Sequence, residues 1–322
     1  MNMRGLTGTL AACLLLIEAE PCEGQRKETK DMSDTITVEL SSRQPVPLQA
    51  PVPVSVTLTN QNSAPVSVLL PYPNPNNLQF RCPIQGFATA KAVEPDPIER
   101  TAPITIRPGQ TYSATYYLNR YFTFLKAGDG DIDYKLRMFV TVSAGNTSSR
   151  TATFSGRFAV QLISGSEDEL RNVFVAYAPQ LRAHNRQPKV EAAEALAFVD
   201  TPLVVPYLLP MLQIDNLEVI GIHALARHPG RESQQAIKSM LSHADSAVVG
   251  AALEEIERLH MPITRNEVHK LLGSSNPNNQ WLALGWLAAR PSREDLPLIA
   301  PLLNSPNAPV RERARAYSDR FQ

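Results

Sequence analysis

Cysteine is scarce in this chain, with three residues in 322, at Cys13, Cys22 and Cys82. So few exclude a disulfide-stapled mini-fold and leave no Cys/His spacing for a zinc site. An excess of either charge is also lacking, since Lys plus Arg and Asp plus Glu each total 31. A neutral balance removes the electrostatic basis for nucleic-acid binding, which needs a basic face against phosphates. Catalytic signatures are missing too. His184, His223, His228, His243, His260 and His269 form no HExxH or HxH, and no GxSxG, GxGxxG or phosphate-binding glycine loop occurs. The expectation is a protein that is not an enzyme and holds neither cofactor nor metal.

Proline, by contrast, is plentiful at 27 residues, and its densest runs lie early, at Pro45, Pro47, Pro51 and Pro53 and at Pro71, Pro73 and Pro75. A residue that cannot donate to a ladder fits strand edges and connections. The 43% hydrophobic and 19% charged composition indicates globular structure, and the length allows two domains, each with its own core.

The amino terminus reads as an address. Arg4 precedes about a dozen mostly apolar residues ending at Ile17, the pattern of a secretory signal peptide and too short to span a bilayer with margin. Residues 1–24 are assigned to that signal and 25–32 to a polar leader, with cleavage after Ala19 or Gly24 both open. Leu10-Ala-Ala-Cys13 also resembles the lipobox of bacterial lipoproteins, which would make Cys13 a lipid-attachment residue. The apolar run continues past it, so this is the minority reading. If Cys22 is retained it can pair with Cys82. An extracytoplasmic, periplasmic location is expected, with a lipid-anchored or secreted protein as alternatives and no transmembrane helix in the mature chain.

From 33 to 163 apolar residues alternate with polar ones: Ile36, Val38, Leu40; Val52 to Leu58; Val66, Val68, Leu70; Ile104 and Ile106; Tyr112 to Leu118; Leu136 to Val142; Phe154 to Leu162. A period of two turns one face of each strand to a core. Turn formers such as Asn60-Gln-Asn-Ser63, Arg107-Pro-Gly-Gln110 and Lys126-Ala-Gly-Asp-Gly130 separate the runs. Seven or eight short strands so punctuated predict an antiparallel two-sheet sandwich. The phrases Val52 to Asn60, Ala64-Pro-Val-Ser-Val68 and Ile106-Arg-Pro-Gly-Gln110 resemble immunoglobulin-like domains of exported bacterial proteins and the bacterial proteinase-inhibitor type of sandwich. That resemblance implies a fold and carries no activity.

Two features here invite a functional reading. Asp129, Asp131 and Asp133 alternate like a calcium loop, but Tyr134 and Val140 stand where that loop needs Gly and Glu. A solvated turn entering a strand is expected instead. Tyr72 in a proline-rich loop, with Tyr112, Tyr116 and Tyr121, forms a candidate set of partner contacts, set against ordinary strand packing.

After Ser164-Gly-Ser166 the apolar spacing becomes three and four. Ser166 followed by Glu167-Asp-Glu169 is a helix start. Ala195, Ala224, Ala252, Ala283 and Ala314 recur about every thirty residues, each with a leucine ending the helix before the next (Leu212, Leu241, Leu272, Leu303). Small residues at that spacing predict helix pairs that cross closely. Asp245 to Leu253 and Asn307 to Ala314 resemble HEAT repeats, in particular the short bacterial form found also in phycobilin lyases. Val310-Arg311 keeps the family's Val-Arg pair, whereas Val248-Val249 and Asn279-Gln280 depart from it. The implied architecture is an all-β plus all-α chain, an Ig-like sandwich followed at 164–322 by an α-solenoid of about five HEAT-like helix pairs. Trp281 and Trp286 are read as core, Glu254-Glu255-x-Glu257 as a solvated face, and Arg311, Arg313, Arg315 and Arg320 as a polar outer cap.

The expected function is an exported scaffold that binds a partner protein or peptide through the helical array, with possible envelope association and no nucleic acid. The alternatives are glycan or cell-wall binding through the sandwich, and an enzyme or lyase accessory by family analogy.

Overall fold

The computed structural model describes residues 36–42, 45–69, 77–93, 103–142 and 148–322. The signal segment, the leader, Cys13, Cys22 and Tyr72 lie outside the described residues.

Three strands form the first sheet: β1 (Ile36–Ser42), β3 (Pro53–Asn60) and β8 (Thr111–Tyr117), in the order β1-β3-β8 and antiparallel throughout. The second sheet contains β2 (Val46–Pro47), β4 (Val66–Leu69), β5 (Leu78–Arg81), β7 (Ile104–Ile106), β10 (Gly128–Val142) and β11 (Ser148–Ile163). Its order is β2-β11-β10-β4-β7, with β5 also paired to β10. A short pair, β6 (Ala88–Ala90) with β9 (Phe122–Phe124), stands apart. Alternation does what the sequence requires of it. Val54, Val56 and Leu58 are buried on one face of β3, while Ser55, Thr57 and Thr59 line the other.

Asn60 ties the Thr-Asn phrase to the Pro-Gly-Gln turn, its backbone pairing with Gly109 and Gln110. Its Nδ2 donates to the carbonyls of Ala64 and Ile106, each at 2.9 Å, and its Oδ1 accepts from the Asn62 amide at 2.8 Å. One fully buried side chain thus closes the β3–β4 turn and clips it to the end of β7.

The stretch Gly128 to Asp133 is strand rather than turn, because β10 already begins at Gly128. The glycine signal has a packing cause. A Cβ on Gly130 would stand 2.3 Å from the Phe87 ring, so the ring occupies the space that a side chain would take. The three aspartates are strand residues there, and Arg157 on β11 donates to Asp133 at 2.6 Å.

Strand gives way to helix where the periodicity changes. Ser166 accepts from the Glu169 amide while Glu169 reaches back to the Ser166 amide, a complete capping box for α1 (Glu167–Val175). Then follow α2 (Ala178–Leu181), α3 (Arg186–Ala197), α4 (Val205–Leu208), α5 (Glu218–Ala226), α6 (Arg231–Ser239), α7 (Ser246–Arg258), α8 (Arg265–Leu272), α9 (Pro277–Ala289), α10 (Leu296–Ile299) and α11 (Ala308–Ser318). Helix α3 packs on α5, α5 on α7, α7 on α9 and α9 on α11. All five repeated alanines are buried within this row. Replacing one by a larger residue would overpack a close helix crossing, at a cost of about 1–3 kcal/mol. Asp245, Asn276 and Asn307, spaced 31 residues apart, cap α7, α9 and α11 through their side chains.

Separate cores do not form. The buried side chains of both sheets and of the helices make one continuous cluster. Three contacts show the join. The rings of Tyr117 on β8 and Tyr177 before α2 meet edge to face at 6.5 Å. The Phe198 ring lies between the guanidinium groups of Arg120 and Arg227, at 4.9 and 4.8 Å. Lys91 Nζ donates to the Asn119 and Phe198 carbonyls and pairs with Asp200 at 2.6 Å. The apolar ends of the first sheet are completed by helix residues, and periodicity alone says nothing of which neighbour fills a face.

His228 sits at this join, buried, with Nε2 3.1 Å from the Val199 carbonyl. Burial pushes its pKa down, the carbonyl contact only partly opposing. An unfolded histidine takes up its proton near pH ~6.5. The stability that neutral His228 contributes is therefore complete above that pH and is lost as pH falls through the lower folded value. Thermal unfolding from about pH 7 down to about pH 5 should show a falling Tm, and His228→Gln should flatten that limb. Identical slopes for the two proteins would remove His228 from the account.

Candidate functional site

Helix α9 presents an aromatic and cationic surface. Its buried positions are Asn279, Ala283, Leu284 and Leu287, which face the core. Trp281 lies two residues from both Asn279 and Ala283, about 200° around the helix, and so points away. It is 42% exposed. The Arg313 guanidinium from α11 stacks on its ring at 3.9 Å from the centroid and donates to the Trp281 carbonyl at 3.1 Å. Trp286 is half-buried, and its own helix supplies Arg290 over the ring at 4.5 Å. Arg290 in turn pairs with Glu257 of α7 at 3.1 Å. Beside Trp286 lies a recess of about 330 Å³ lined by Ile256, Glu257, His260, Met261, Pro262, Ile263, Trp286 and Arg290. Apolar walls with one cation and one anion at the edge suit a side chain of mixed character.

Polar contacts tie the layer that carries this surface. Asn276 Nδ2 donates to the Ala244 carbonyl at 3.0 Å and Asn279 Nδ2 to the His243 carbonyl at 3.3 Å, so the start of α9 is hung from the loop before α7. Between α5 and α7, Glu255 faces His223 Nδ1 at 2.6 Å and accepts from Arg258 Nε at 2.7 Å. Burial alone pushes the Glu255 carboxyl up, but His223 and Arg258 outweigh it and hold its pKa below the usual range. Glu255 is 5% exposed, which corrects the expectation that Glu254 to Glu257 is a solvated face. Its neighbours Glu254 and Glu257 do face solvent.

Asp295 is the other buried acid. Arg265 of α8 donates to it through Nε at 2.6 Å and Nη2 at 2.8 Å, His269 Nε2 lies 2.8 Å away, and the Tyr317 hydroxyl of α11 donates to its second oxygen. With both oxygens engaged from two helices, α8 and α11, this cluster is a structural tie. The expected cap arginines also act inward: Arg311, Arg313 and Arg320 donate to the carbonyls of Ser305, Trp281 and Ala288, while Arg315 is exposed.

The tyrosines proposed from sequence do not assemble as an exposed platform. Tyr112 and Tyr116 are half-buried, opposite Leu58 and Val54 on the inward face of the first sheet. Tyr121 is 4% exposed and meets Phe80 edge to face at 4.8 Å. It does contribute to the wall of a groove of about 510 Å³ beside β5, with Phe80, Tyr134, Lys91 and Arg81 among its neighbours. Tyr72 lies outside the described residues. Trp281, read from sequence as core, is the reverse case. The signal that would have placed it outside was its angle to Ala283 and Leu287, which a count of Leu and Ala around it ignores. Among the described residues no group of three or more His, Cys, Asp or Glu is placed to hold a metal, and no helix is long and apolar enough to cross a membrane.

No family model matches the chain, and no curated protein matches it. Among solved structures it is similar to an engineered protein at 18% identity and a TM-score of 0.28, covering 48% of this chain and 81% of that one. It is similar also to the ASH/PapD-like domain 7 of human CEP192, at 14% and 0.21, covering 47% and 100%. A third is native alpha-2-macroglobulin from Escherichia coli, from domain MG7 to the C-terminus, at 12% and 0.23, covering 86% and 56%. None of these carries an argument about what the chain does.

Proposed function

We propose that this chain is a non-enzymatic, exported binding protein, in which an Ig-like sandwich is joined to a HEAT-like array that holds a partner protein or peptide. The row of packed helices from α3 to α11, with a buried alanine in each, supports the repeat reading. The observation that carries the functional reading is Trp281, a large aromatic side chain exposed on the helical layer and stacked by Arg313. Tryptophan and arginine dominate the energetics of protein interfaces. The apolar segment behind Arg4 supports an extracytoplasmic setting.

The test is selection of a displayed library of random short peptides on the full chain. Recovered peptides should bind Trp281→Ala about thirtyfold more weakly, the loss of roughly 2 kcal/mol expected for a central interface residue. Circular dichroism should show the variant folded. Failure to recover any peptide, or recovery of peptides that bind Trp281→Ala as well as the parent, would refute the reading. The latter result would turn attention to the groove beside β5 and to glycan ligands.

A further inference from the structure

Several arginines of the helical layer are paired with acids. Arg258 is held by Glu255, Arg265 by Asp295 and Arg290 by Glu257. Arg313 differs. Among the described residues its guanidinium contacts the Trp281 ring and carbonyl, and no carboxylate forms an ion pair with it. Burial lowers its pKa, the direction expected of a cation withdrawn from water without a counter-ion. Arg320, seven residues on, likewise donates to a carbonyl, that of Ala288, with no acid paired to it among the described residues.

The helix beneath is shaped for this arrangement. Gly285 stands in the interior of α9, where glycine weakens a helix. A Cβ there would lie 2.8 Å from Arg313 Nη2 and 2.9 Å from Cζ. The missing side chain lets the guanidinium lie flat on the helix, one turn from the exposed indole. If Arg313 only pinned α11 to α9, a carboxylate on either helix would satisfy it better than a carbonyl already engaged in its own helix.

We propose that Arg313 is the receptor for a carboxylate, and that the partner segment is acidic, an Asp or Glu seated on Arg313 beside an apolar side chain against Trp281. The proposal rests on the peptide-binding reading above. Charge-assisted bonds to a guanidinium are among the stronger contacts in recognition, and Arg313 is the arginine beside the exposed indole that has no carboxylate bound among the described residues.

The experiment uses the full chain and the same random-peptide selection, followed by resynthesis of recovered sequences with Gln for Glu and Asn for Asp. The acidic forms should bind at least about tenfold more tightly than the neutral ones, and this gap should shrink as salt is raised. Arg313→Gln should abolish the gap. Gly285→Ala should do the same by displacing the guanidinium, while alanine leaves the helix no less stable, so a folding defect in Arg313→Gln does not rescue the idea. Recovered peptides that depend on Trp281 yet bind equally in acidic and neutral form would overturn the carboxylate assignment and leave the peptide-binding reading intact. No recovered peptide at all would overturn both. A single-stranded oligonucleotide that outcompetes the acidic peptides through Arg313 would also overturn it.

Discussion

Replacing Asp295 with alanine is expected to reduce the free energy of unfolding by about 3 kcal/mol, because it leaves the partly buried Arg265 and the His269 and Tyr317 donors without their buried acceptor. For a chain of this size, that is a fall in Tm of roughly 10 °C. The residue is fully buried, and its two oxygens bind α8 through Arg265 and His269 and α11 through Tyr317. Burial by itself would push the carboxyl up; Arg265, Tyr317 and His269 together pull it far below the usual carboxylate range. The sign follows. An unfolded Asp ionises near pH ~3.9, so the contribution is complete above that value and is lost as pH falls toward the lower folded pKa. Denaturant titrations should therefore show a parent that loses stability steeply below about pH 4 and an Asp295→Ala variant that loses less. A variant within about 1 kcal/mol of the parent at neutral pH would show that the cluster is not a tie.

Asn60 offers the sharper chemical contrast. Asn60→Ala removes two donated bonds and one accepted bond from a buried site, a loss of about 3 kcal/mol once the stranded carbonyls of Ala64 and Ile106 are counted. Asn60→Asp, nearly the same shape, should be worse at neutral pH. It aims a carboxylate at two carbonyl oxygens that need a donor. Acid should then restore part of the loss, since a protonated Asp can donate to one of them. Chemical denaturation of both variants at neutral and acidic pH checks the order. An Asp variant as stable as the parent at neutral pH would mean that Asn60 is not oriented as described.

The residues that the sequence placed well are those whose position depends on local spacing. Every second residue of β3 is buried, the Ser166 cap forms with Glu169, and all five alanines of the thirty-residue spacing are enclosed. Long-range neighbours were harder. Gly128 to Asp133 looked like a turn, because nothing near it in the chain announces that Phe87 will fill the place of a Cβ at Gly130. Glu255 looks solvated from its neighbours in the chain because its partner His223 stands 32 residues earlier. Trp281 was assigned to the core by the company it keeps, although helical geometry already turned it outward. Of the candidate tyrosines, Tyr72 belongs to a proline-rich loop and the other three to strand-like sequence, where strand geometry turns Tyr112 and Tyr116 inward with the other apolar residues of their face. The aromatic–arginine surface had a sequence trace only in the two tryptophans, since the stacking of Arg313 depends on a helix some thirty residues away.

The contacts that join the sheets to the helices set how the molecule behaves mechanically. A Phe198 ring held by both Arg120 and Arg227, with Lys91 bound to Asp200, ties strands and helices together at one place. Severing the chain near Ser166 would not release two self-sufficient pieces: each would bare the greasy surface that the other now covers.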